Sequence, residues 1–184
     1  MKNESGFTLI ELLMVMVISG IVMAAIYSAY TSQTRAYQIQ DEVSVVQQNL
    51  RAAAYYMERE IRMAGYDPFE TVLSGFHNMS NQSVLELSWD GANGDTPDGV
   101  LLAAEFIRYK HQSSDNTLRR ERGGGGYDNI AEYISGVTWT FLDQNGMETA
   151  SDENVRSVLL TLDANYKSHS RQLTTQIFCR NLGL

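Results

Sequence analysis

The chain has 184 residues, of which 43% are hydrophobic and 10% aromatic, so it is large and apolar enough to build a folded domain. It carries 22 acidic against 14 basic residues, a formal net charge of -8. Because phosphate binding needs clustered lysines and arginines, this balance argues against a nucleic-acid-binding protein. Cys179 is the single cysteine, which excludes an intrachain disulfide, and we expect it to be a small buried residue.

The first predicted element is an apolar helix. Residues 7–26 read FTLIELLMVMVISGIVMAAI, about twenty residues, which is the length that an α-helix needs to cross the roughly 30 Å hydrocarbon core of a bilayer. Glu11 is the exception within this run, because a carboxylate inside a membrane helix costs roughly 2.5 to 3.5 kcal/mol. Such residues usually have a partner or a function, so Glu11 is a candidate site residue.

Two common types of N-terminal segment compete for this sequence. A secretory signal has a basic start, an uninterrupted apolar run and a small-x-small cleavage site beyond that run. Here the leader MKNESG carries one lysine and one glutamate, although small residues do lie between Ala24 and Ala29. The other type is a signal anchor whose Glu11 extends to the membrane interface. We favour neither, since the apolar run starts directly after Gly6 and contains Glu11.

The block Gly6-Phe7-Thr8-Leu9-Ile10-Glu11 resembles the prepilin motif of the type IV pilin-like family, in which a short polar leader ends in glycine and Phe-Thr-Leu-Ile-Glu opens an apolar helix. The resemblance implies that a membrane-embedded aspartyl peptidase cuts between Gly6 and Phe7. It removes the leader, residues 1–6, and methylates the new amine of Phe7. The resemblance also implies a single-pass inner-membrane precursor with a cytoplasmic leader and an external head, which later joins a pilus or pseudopilus.

The same resemblance implies a set of partners. These are major and minor pilin subunits contacted through the N-terminal helix, the prepilin peptidase, an assembly platform in the inner membrane, and membrane lipid. No cofactor and no nucleic acid are expected. Glu11 then has a physical explanation, because a carboxylate one helical turn after the cationic amine of Phe7 can pair with that amine or with a neighbouring subunit's. Pairing across subunits would set the axial register of assembly.

An amphipathic stretch continues this helix. Hydrophobic residues recur at steps of three or four, which marks one apolar stripe. The stripe consists of Ile39, Val43, Val46, Leu50, Ala54, Met57 and Ile61. No proline or glycine interrupts residues 21–64, and Gly65 followed by Pro68 predicts the end of the helix near Ala64. The sequence therefore predicts one helix that begins at Phe7 and continues to about Ala64.

This helix divides into a membrane and filament-core segment, residues 7–30, and an amphipathic segment, residues 31–66. The stretch from Met57 to Tyr66 resembles the end of the long helix in PilW-type minor pilins, a group similar to the J-type pseudopilins of type II secretion. Many major pilins also have a proline near the outer end of the membrane segment and a C-terminal disulfide loop. This chain has no proline near Ser28 and a single cysteine, so a minor subunit is favoured.

After Pro68 the pattern changes to short alternating runs separated by polar turns, which predicts strands. The predicted strands are Val84 to Trp89, Ala103 to Lys110, Thr117 to Arg122, Val137 to Leu142, Val155 to Leu162 and Leu173 to Arg180. Residues 113–116 predict a hairpin turn between the second and third. We expect an α+β fold, a pilin fold in which an antiparallel sheet in the head, residues 67–184, packs on the helix stripe.

Two loops in the head are candidate ligand sites. Residues 123–126 are four glycines, but they lack the lysine and Ser/Thr of a phosphate loop, so we interpret them as a flexible connector. The loop WDGANGDTPDG offers oxygen atoms that calcium accepts as ligands. These weak candidates are Asp90, Asn93, Asp95 and Asp98. The spacing and closing glutamate of an EF-hand are missing, so a polar turn is favoured and no metal site is predicted.

No catalytic constellation is evident in the sequence. His77, His111 and His169 are far apart and none belongs to a metal-ligand motif, and nothing pairs one of them with Cys179 as base and nucleophile. Glu121 lies within a group of three arginines, Arg119, Arg120 and Arg122, which we interpret as a solvated strand edge. We therefore expect a protein that is not an enzyme.

Three functions follow from these observations. The favoured one is a minor type IV pilin that primes or caps pilus assembly after processing by the prepilin peptidase. The second is a J-type pseudopilin of a type II secretion system. The third is a tip adhesin or DNA-uptake subunit that binds a ligand through its head, although the acidic balance argues against direct DNA binding.

Overall fold

The structure, a computed structural model, describes residues 6–71 and 73–182, so residues 1–5 of the predicted leader lie outside the described residues. Its first element is the helix α1 (Leu9–Ile61), 53 residues long. Gly20 is the only glycine in α1, and no proline breaks its hydrogen-bond ladder. The predicted long helix is confirmed, although it begins two residues later and ends three residues earlier than the sequence pattern indicated.

The end of α1 is fixed by backbone conformation and by the sheet beside it. Gly65 has a φ of +72°, a left-handed conformation that side chains with a Cβ rarely adopt. A Cβ at this position would also lie 2.4 Å from Leu182 Cδ2. The Gly65 N–H donates a hydrogen bond of 3.0 Å to the Ser88 carbonyl, so the chain turns directly into contact with a strand.

The chain folds as two compact units, and the first ends at Glu42. In this first unit every described residue from Gly6 to Asp41 is exposed within the structure. By length and composition, α1 is the one helix among the described residues that is long and apolar enough to cross a membrane. The described part of this unit therefore has no core of its own, and its apolar side chains are exposed.

The second unit, from Val43 onwards, contains the end of α1 and two antiparallel sheets. The first sheet has five strands in sequential order: β1 (Phe76–His77), β2 (Val84–Ser88), β3 (Phe106–Gln112), β4 (Thr117–Arg122) and β5 (Tyr127–Ala131). The second sheet has three, also in sequential order: β6 (Ile134–Leu142), β7 (Ser157–Tyr166) and β8 (His169–Phe178). Each strand pairs with the strand next to it in the sequence, although residues 89–105 between β2 and β3 and residues 143–156 between β6 and β7 form longer connections.

The core of this unit is shared by the helix and both sheets. The end of α1 contributes a buried face: Val46, Leu50, Ala53, Ala54, Met57 and Ile61. The first sheet adds residues such as Leu87 and Ile107, and the second adds residues such as Leu160. The Phe76 and Phe141 rings, one from each sheet, meet edge to face at 5.1 Å. The predicted α+β fold, a helix packed on antiparallel sheet, is confirmed.

Several details differ from the sequence-based expectation. The single expected sheet is two sheets, and β1 and β5 were not predicted. Ile39, at the start of the predicted stripe, is exposed, whereas five of the other stripe residues, Val46 onwards, are buried. The first strand of the predicted hairpin begins at Phe106, because residues 103–105 form a 3-10 turn. The hairpin turn at residues 113–116 is confirmed.

Candidate functional site

The bond between Gly6 and Phe7 lies outside the helix. Both residues precede Leu9, where α1 begins, and both have non-helical backbone. The Phe7 side chain is 88% exposed. A Cβ added to Gly6 would meet no atom within 4 Å. A peptide bond between these residues is therefore accessible in the folded chain, and no helical hydrogen bonds need to be broken to reach it.

Glu11 caps the first turn of α1. Its Oε2 accepts a hydrogen bond from the Thr8 N–H at 2.9 Å and another from the Thr8 hydroxyl at 2.9 Å. In return, Thr8 Oγ1 lies 3.4 Å from the Glu11 N–H. This reciprocal arrangement is a capping box, with Thr8 as N-cap and Glu11 three residues on. Thr8 was not among the predicted site residues, although the spacing T-x-x-E before an apolar run predicts it.

The capping box gives the Glu11 carboxylate a partner while the leader is still attached. Both contacts use Oε2, and within the described part of the chain Oε1 has no hydrogen bond. A negative charge in the first turn also interacts favourably with the helix dipole. Pairing of Glu11 with a cationic amine stays a prediction for the cleaved chain, for which Oε1 offers an acceptor.

The surface of α1 beyond Glu11 is apolar and then changes character. No charged residue occurs from Leu12 to Thr34, and Tyr27 and Tyr30 follow the apolar run with exposed rings. The hydroxyls of Thr31 and Thr34 donate hydrogen bonds of 3.0 Å to backbone carbonyls one turn before them, which satisfies them within the helix. Tyrosines at the end of an apolar helix are typical of a membrane–water interface.

In the second unit, a buried ion pair joins α1 to the first sheet. Glu60 is 6% exposed and Arg120 is 9% exposed. Arg120 Nε donates to Glu60 Oε2 at 2.9 Å, and its Nη2 contacts Glu60 Oε1. The fully buried Tyr109 donates its hydroxyl to the same carboxylate. The interpretation of the arginine cluster as a solvated edge is therefore wrong for Arg120, whose side chain lies on the core face of β4.

The local electrostatics follow from this geometry. Although burial of Arg120 opposes its charge, the hydrogen bonds and the charge of Glu60 raise the pKa of the Arg120 guanidinium above its ordinary value. Burial, with the neighbouring Glu60 charge, raises the pKa of the Tyr109 hydroxyl. Both shifts keep the Arg120 guanidinium charged and the Tyr109 hydroxyl protonated at neutral pH, so the phenol can donate its proton to the Glu60 carboxylate in a hydrogen bond. One feature of the sequence could have indicated this buried ion pair: Glu60 is an acid directly before Ile61, a residue of the apolar stripe.

A second charge network lies on the opposite face of the first sheet. Arg108 donates to Glu86 Oε1 at 2.9 and 2.7 Å and to Glu121 Oε1 at 3.1 Å. Asn78 donates to the other Glu86 oxygen at 2.6 Å. The hydrogen bonds to Glu86 raise the pKa of the Arg108 guanidinium. One cation thus bridges two carboxylates across three adjacent strands, which fits a structural role.

The side chains of the weak calcium candidates make hydrogen bonds to the backbone of their own loop and of the residues that follow it. Asp90 is buried, and its carboxylate accepts the N–H groups of Asp98 at 3.0 Å and Gly99 at 2.9 Å. Asn93 donates its amide to the Ala104 carbonyl at 2.6 Å, and Asp95 accepts the N–H of the next residue. Asp98 accepts the Val100 N–H at 2.9 Å. The loop is thus held by hydrogen bonds between acidic side chains and backbone amides.

An acidic cleft of about 980 Å³ lies between the end of α1 and the segment after β6. Asp67, Glu70, Asp152 and Glu153 line it. The Asp152 carboxylate accepts the N–H groups of Gly75 and Phe76 at 3.1 and 2.9 Å and the Ser74 hydroxyl. Asp67 similarly caps the turn that follows α1. Two of the four carboxylates therefore organise the loops that form the cleft.

The remaining candidates are separate from one another. His77 Nε2 lies 2.7 Å from Ser88 Oγ, and His111 Nε2 lies 2.7 Å from the Ile134 carbonyl. Cys179 is buried, as expected, and burial raises the pKa of its thiol to about 12. Among the described residues, no three His, Cys, Asp or Glu side chains are arranged to hold a metal ion.

Two family models match the chain. The first, described as the prokaryotic N-terminal methylation motif, matches residues 1–27. The second, described as prepilin peptidase-dependent protein B, matches residues 39–179. No curated protein sequence matches the chain. The first match contains Gly6, Phe7 and Glu11, and the second contains the end of α1 and all eight strands of the head.

Proposed function

The chain belongs to the family of prepilin peptidase-dependent protein B and carries the N-terminal methylation motif of type IV pilin-like proteins, and from this premise we propose that it is a minor pilin. In this proposal the prepilin peptidase cuts between Gly6 and Phe7 and methylates the Phe7 amine. The cleaved subunit then joins other pilin subunits through α1. It primes or caps a type IV pilus, in the manner of PilW-type subunits, and is not an enzyme.

The observation that carries this proposal is the position of the motif on the folded chain. The Gly6–Phe7 bond is exposed and non-helical, and the helix starts two residues later under the Thr8–Glu11 capping box. A peptidase that binds extended backbone reaches the bond without unwinding α1. The helix that follows is apolar and exposed, so it supports anchoring of the precursor in a membrane.

The remaining parts of the proposal concern topology and domains. We assign residues 1–6 as leader, 7–30 as the membrane and filament-core helix, 31–66 as its amphipathic continuation and 67–184 as the head. Tyr27 and Tyr30 are exposed at the end of the uncharged run and support a membrane interface at that level. The head would then lie outside the cytoplasm, on the inner-membrane precursor and on the assembled filament.

Processing is tested first, because assembly depends on it. The mature chain from the native strain should give Phe7 as its N-terminal residue, with N-methylation visible by mass spectrometry. Gly6→Ala should leave the precursor uncleaved, since a side chain at this position meets the peptidase rather than the chain's own atoms. Recovery of a chain that begins at Phe7 from the Gly6→Ala strain would contradict the assigned cleavage site.

Assembly is tested with two variants of Glu11. Glu11→Ala removes both the charge and the cap, whereas Glu11→Gln keeps an acceptor for the Thr8 N–H and removes only the charge. Both variants should be cleaved, and both should be incorporated into filaments at least about tenfold less than wild type, because a carboxylate–amine pair needs the charge. Normal incorporation of the Glu11→Gln chain would reject the charge-pairing role while leaving the cleavage site intact.

The pseudopilin alternative shares processing and anchoring, so it is separated by phenotype. Deletion of the gene in the native strain should reduce the number of surface pili if the chain primes a pilus. Loss of secreted folded cargo with unchanged piliation would instead assign the chain to a type II secretion system. The two measurements are made on the same deletion strain, complemented with wild type and with Glu11→Ala.

A further inference from the structure

The edges of the two sheets are protected to very different degrees. A sheet edge presents unpaired N–H and C=O groups, and proteins usually shorten, bulge, charge or cover such edges to prevent pairing with another chain. The described strands leave four edges, namely β1, β5, β6 and β8. β1 has two residues, and β5 has five, with a bulge in its pairing with β4. Both edges of the first sheet therefore carry a protective feature.

The β6 edge of the second sheet is bulged and partly covered. Its pairing with β7 shifts register between Ile134 and Gly136. At its start, the Ile134 N–H donates to the Asn116 carbonyl at 2.8 Å. At its end, the Thr149 N–H donates to the Phe141 carbonyl at 3.0 Å. Both ends of this strand are thus already bonded to other parts of the head.

The β8 edge has none of these features. It is ten residues long and pairs with β7 through ten consecutive residue pairs without a register shift. From Ser170 to Phe178 it contains no proline and one charged residue, Arg171. Thr174 and Gln176 are exposed along it, and Phe178 is exposed at its end. In the described chain, β8 is the long, straight and uncovered edge.

We propose that β8 is a self-association edge, on which the β8 strand of a second copy pairs antiparallel about a two-fold axis at Thr174. Nine residues on each copy, 170–178, would then add one strand pair, with about eight to ten backbone hydrogen bonds, and join two three-stranded sheets into one of six strands. Such a contact is isologous, with the same patch on both copies. This proposal concerns the head and does not depend on cleavage at Gly6.

The side chains of β8 complement themselves in this register. Thr174 already bonds Thr161 of β7 through their hydroxyls at 3.1 Å, and Thr138 of β6 completes the row. Pairing about Thr174 extends this threonine row across the axis and places Gln172 opposite Gln176 of the second copy. Thr–Thr and polar cross-strand pairs of this kind stabilise antiparallel sheets.

The charges of β8 do not oppose pairing with a second copy. Arg171 would lie opposite Ile177 of the other chain, and the two arginines would be separated by six residues along the strands, roughly 20 Å. That distance exceeds the Debye length of about 8 Å at physiological salt, so the two like charges barely interact. Each copy carries a net charge of -8, and the repulsion between whole copies is screened by salt. Self-association should therefore strengthen as salt is added.

The test is disulfide crosslinking of the full chain in detergent, with Cys179→Ala as background. Thr174→Cys should give a homodimer under mild oxidation, because residues opposite each other on antiparallel strands have Cα atoms about 4.5 to 5.5 Å apart, within disulfide range. Thr138→Cys, in the same row but on the bulged and partly covered β6 edge, is the matched control and should stay monomeric. A crosslink at Thr138 equal to that at Thr174 would overturn the proposal.

Lysine substitution provides the second measurement. Thr174→Lys places two cations opposite each other at the axis and should weaken self-association at least about tenfold, as measured by analytical ultracentrifugation. Thr138→Lys should leave it within about twofold. Circular dichroism checks that both lysine variants fold. A wild-type chain that stays monomeric at all concentrations and salts would also overturn self-pairing.

Discussion

The first 42 residues and the rest of the chain differ in the kind of contact that determines their structure. In the N-terminal unit, contacts are local, such as the Thr8–Glu11 capping box, and every described residue to Asp41 is exposed. In the second unit, which contains the end of α1 and the head, contacts join residues far apart in the sequence, such as Glu60 and Arg120. The first unit is therefore specified by a short motif and a composition, and the second by the way in which distant residues pack.

This difference explains why the two regions support different kinds of conclusion. The prepilin motif predicts processing and anchoring because the chemistry needs only a few residues in a fixed order. The head needs its whole core before any surface has a shape, so its functional surfaces follow from strand positions rather than from motifs. Variants that disturb one region and leave the other intact test the comparison directly.

The largest expected effect is in the head, at the buried ion pair. Arg120→Met leaves the Glu60 carboxylate buried without its cation and should lower the free energy of unfolding by about 3–5 kcal/mol. Chemical denaturation of the full chain in detergent, followed by Trp fluorescence, measures this. The double variant Glu60→Leu with Arg120→Met removes both charges and should recover most of the loss. A double variant as unstable as Arg120→Met would show that the loss of unfolding free energy comes from losing the ion pair and not from the unpaired Glu60 charge.

A matched pair of leucines sharpens the contrast between the units. Leu160→Ala creates a cavity in the core of the head and should cost about 2–5 kcal/mol of unfolding free energy. Leu13→Ala removes the same atoms from an exposed site on α1 and should leave the unfolding of the head unchanged within about 0.5 kcal/mol. Both are measured in the same detergent. A large effect of Leu13→Ala on head unfolding would contradict the division into two units.

The sequence predicts the helix and most strands for clear physical reasons. The 3.6-residue period from Val46 to Ile61 gave the buried face of α1, and alternation gave β2 and β4. β1 was not predicted, because a strand of two residues is too short to show a hydrophobic period. β5 was not predicted, because Tyr127–Ala131 is mostly polar and exposed and shows no alternation of hydrophobic residues. Its strand conformation comes from pairing with β4.

The predicted bounds of the last two strands, β7 and β8, differ from those in the structure. β7 and β8 were expected to end and begin further apart, but they continue to Tyr166 and from His169. The turn between them uses Lys167 in a left-handed conformation, with a φ of +54°, where a glycine or asparagine would be the usual signal. The longer β8 that results is the uncovered edge, and no turn chemistry in the sequence indicates it.

The candidate site shows the same division. Gly6, Phe7 and Glu11 were named from six consecutive residues, and the capping partner Thr8 was within the same motif. Arg120 was misinterpreted because Arg119 and Arg122 flank it, and only the pairing of Tyr109 with Arg120 across β3 and β4 shows which arginine faces the core. Which face of a strand is buried depends on register, and register is set by the neighbouring strand.

The smallest predicted effect uses Cys179 as an internal probe of the head. Its thiol pKa is raised by burial from 9.0 to about 12, so between these values the folded chain holds a proton that the unfolded chain releases. This contribution to stability is complete below pH 9 and is lost as the pH rises toward 12. At pH 10 the loss should be about 1 kcal/mol relative to Cys179→Ala, which lacks the thiol. Equal slopes of stability against pH in the two chains would show that the thiol is not shielded by the core, and rapid alkylation of native Cys179 at pH 8 would show the same.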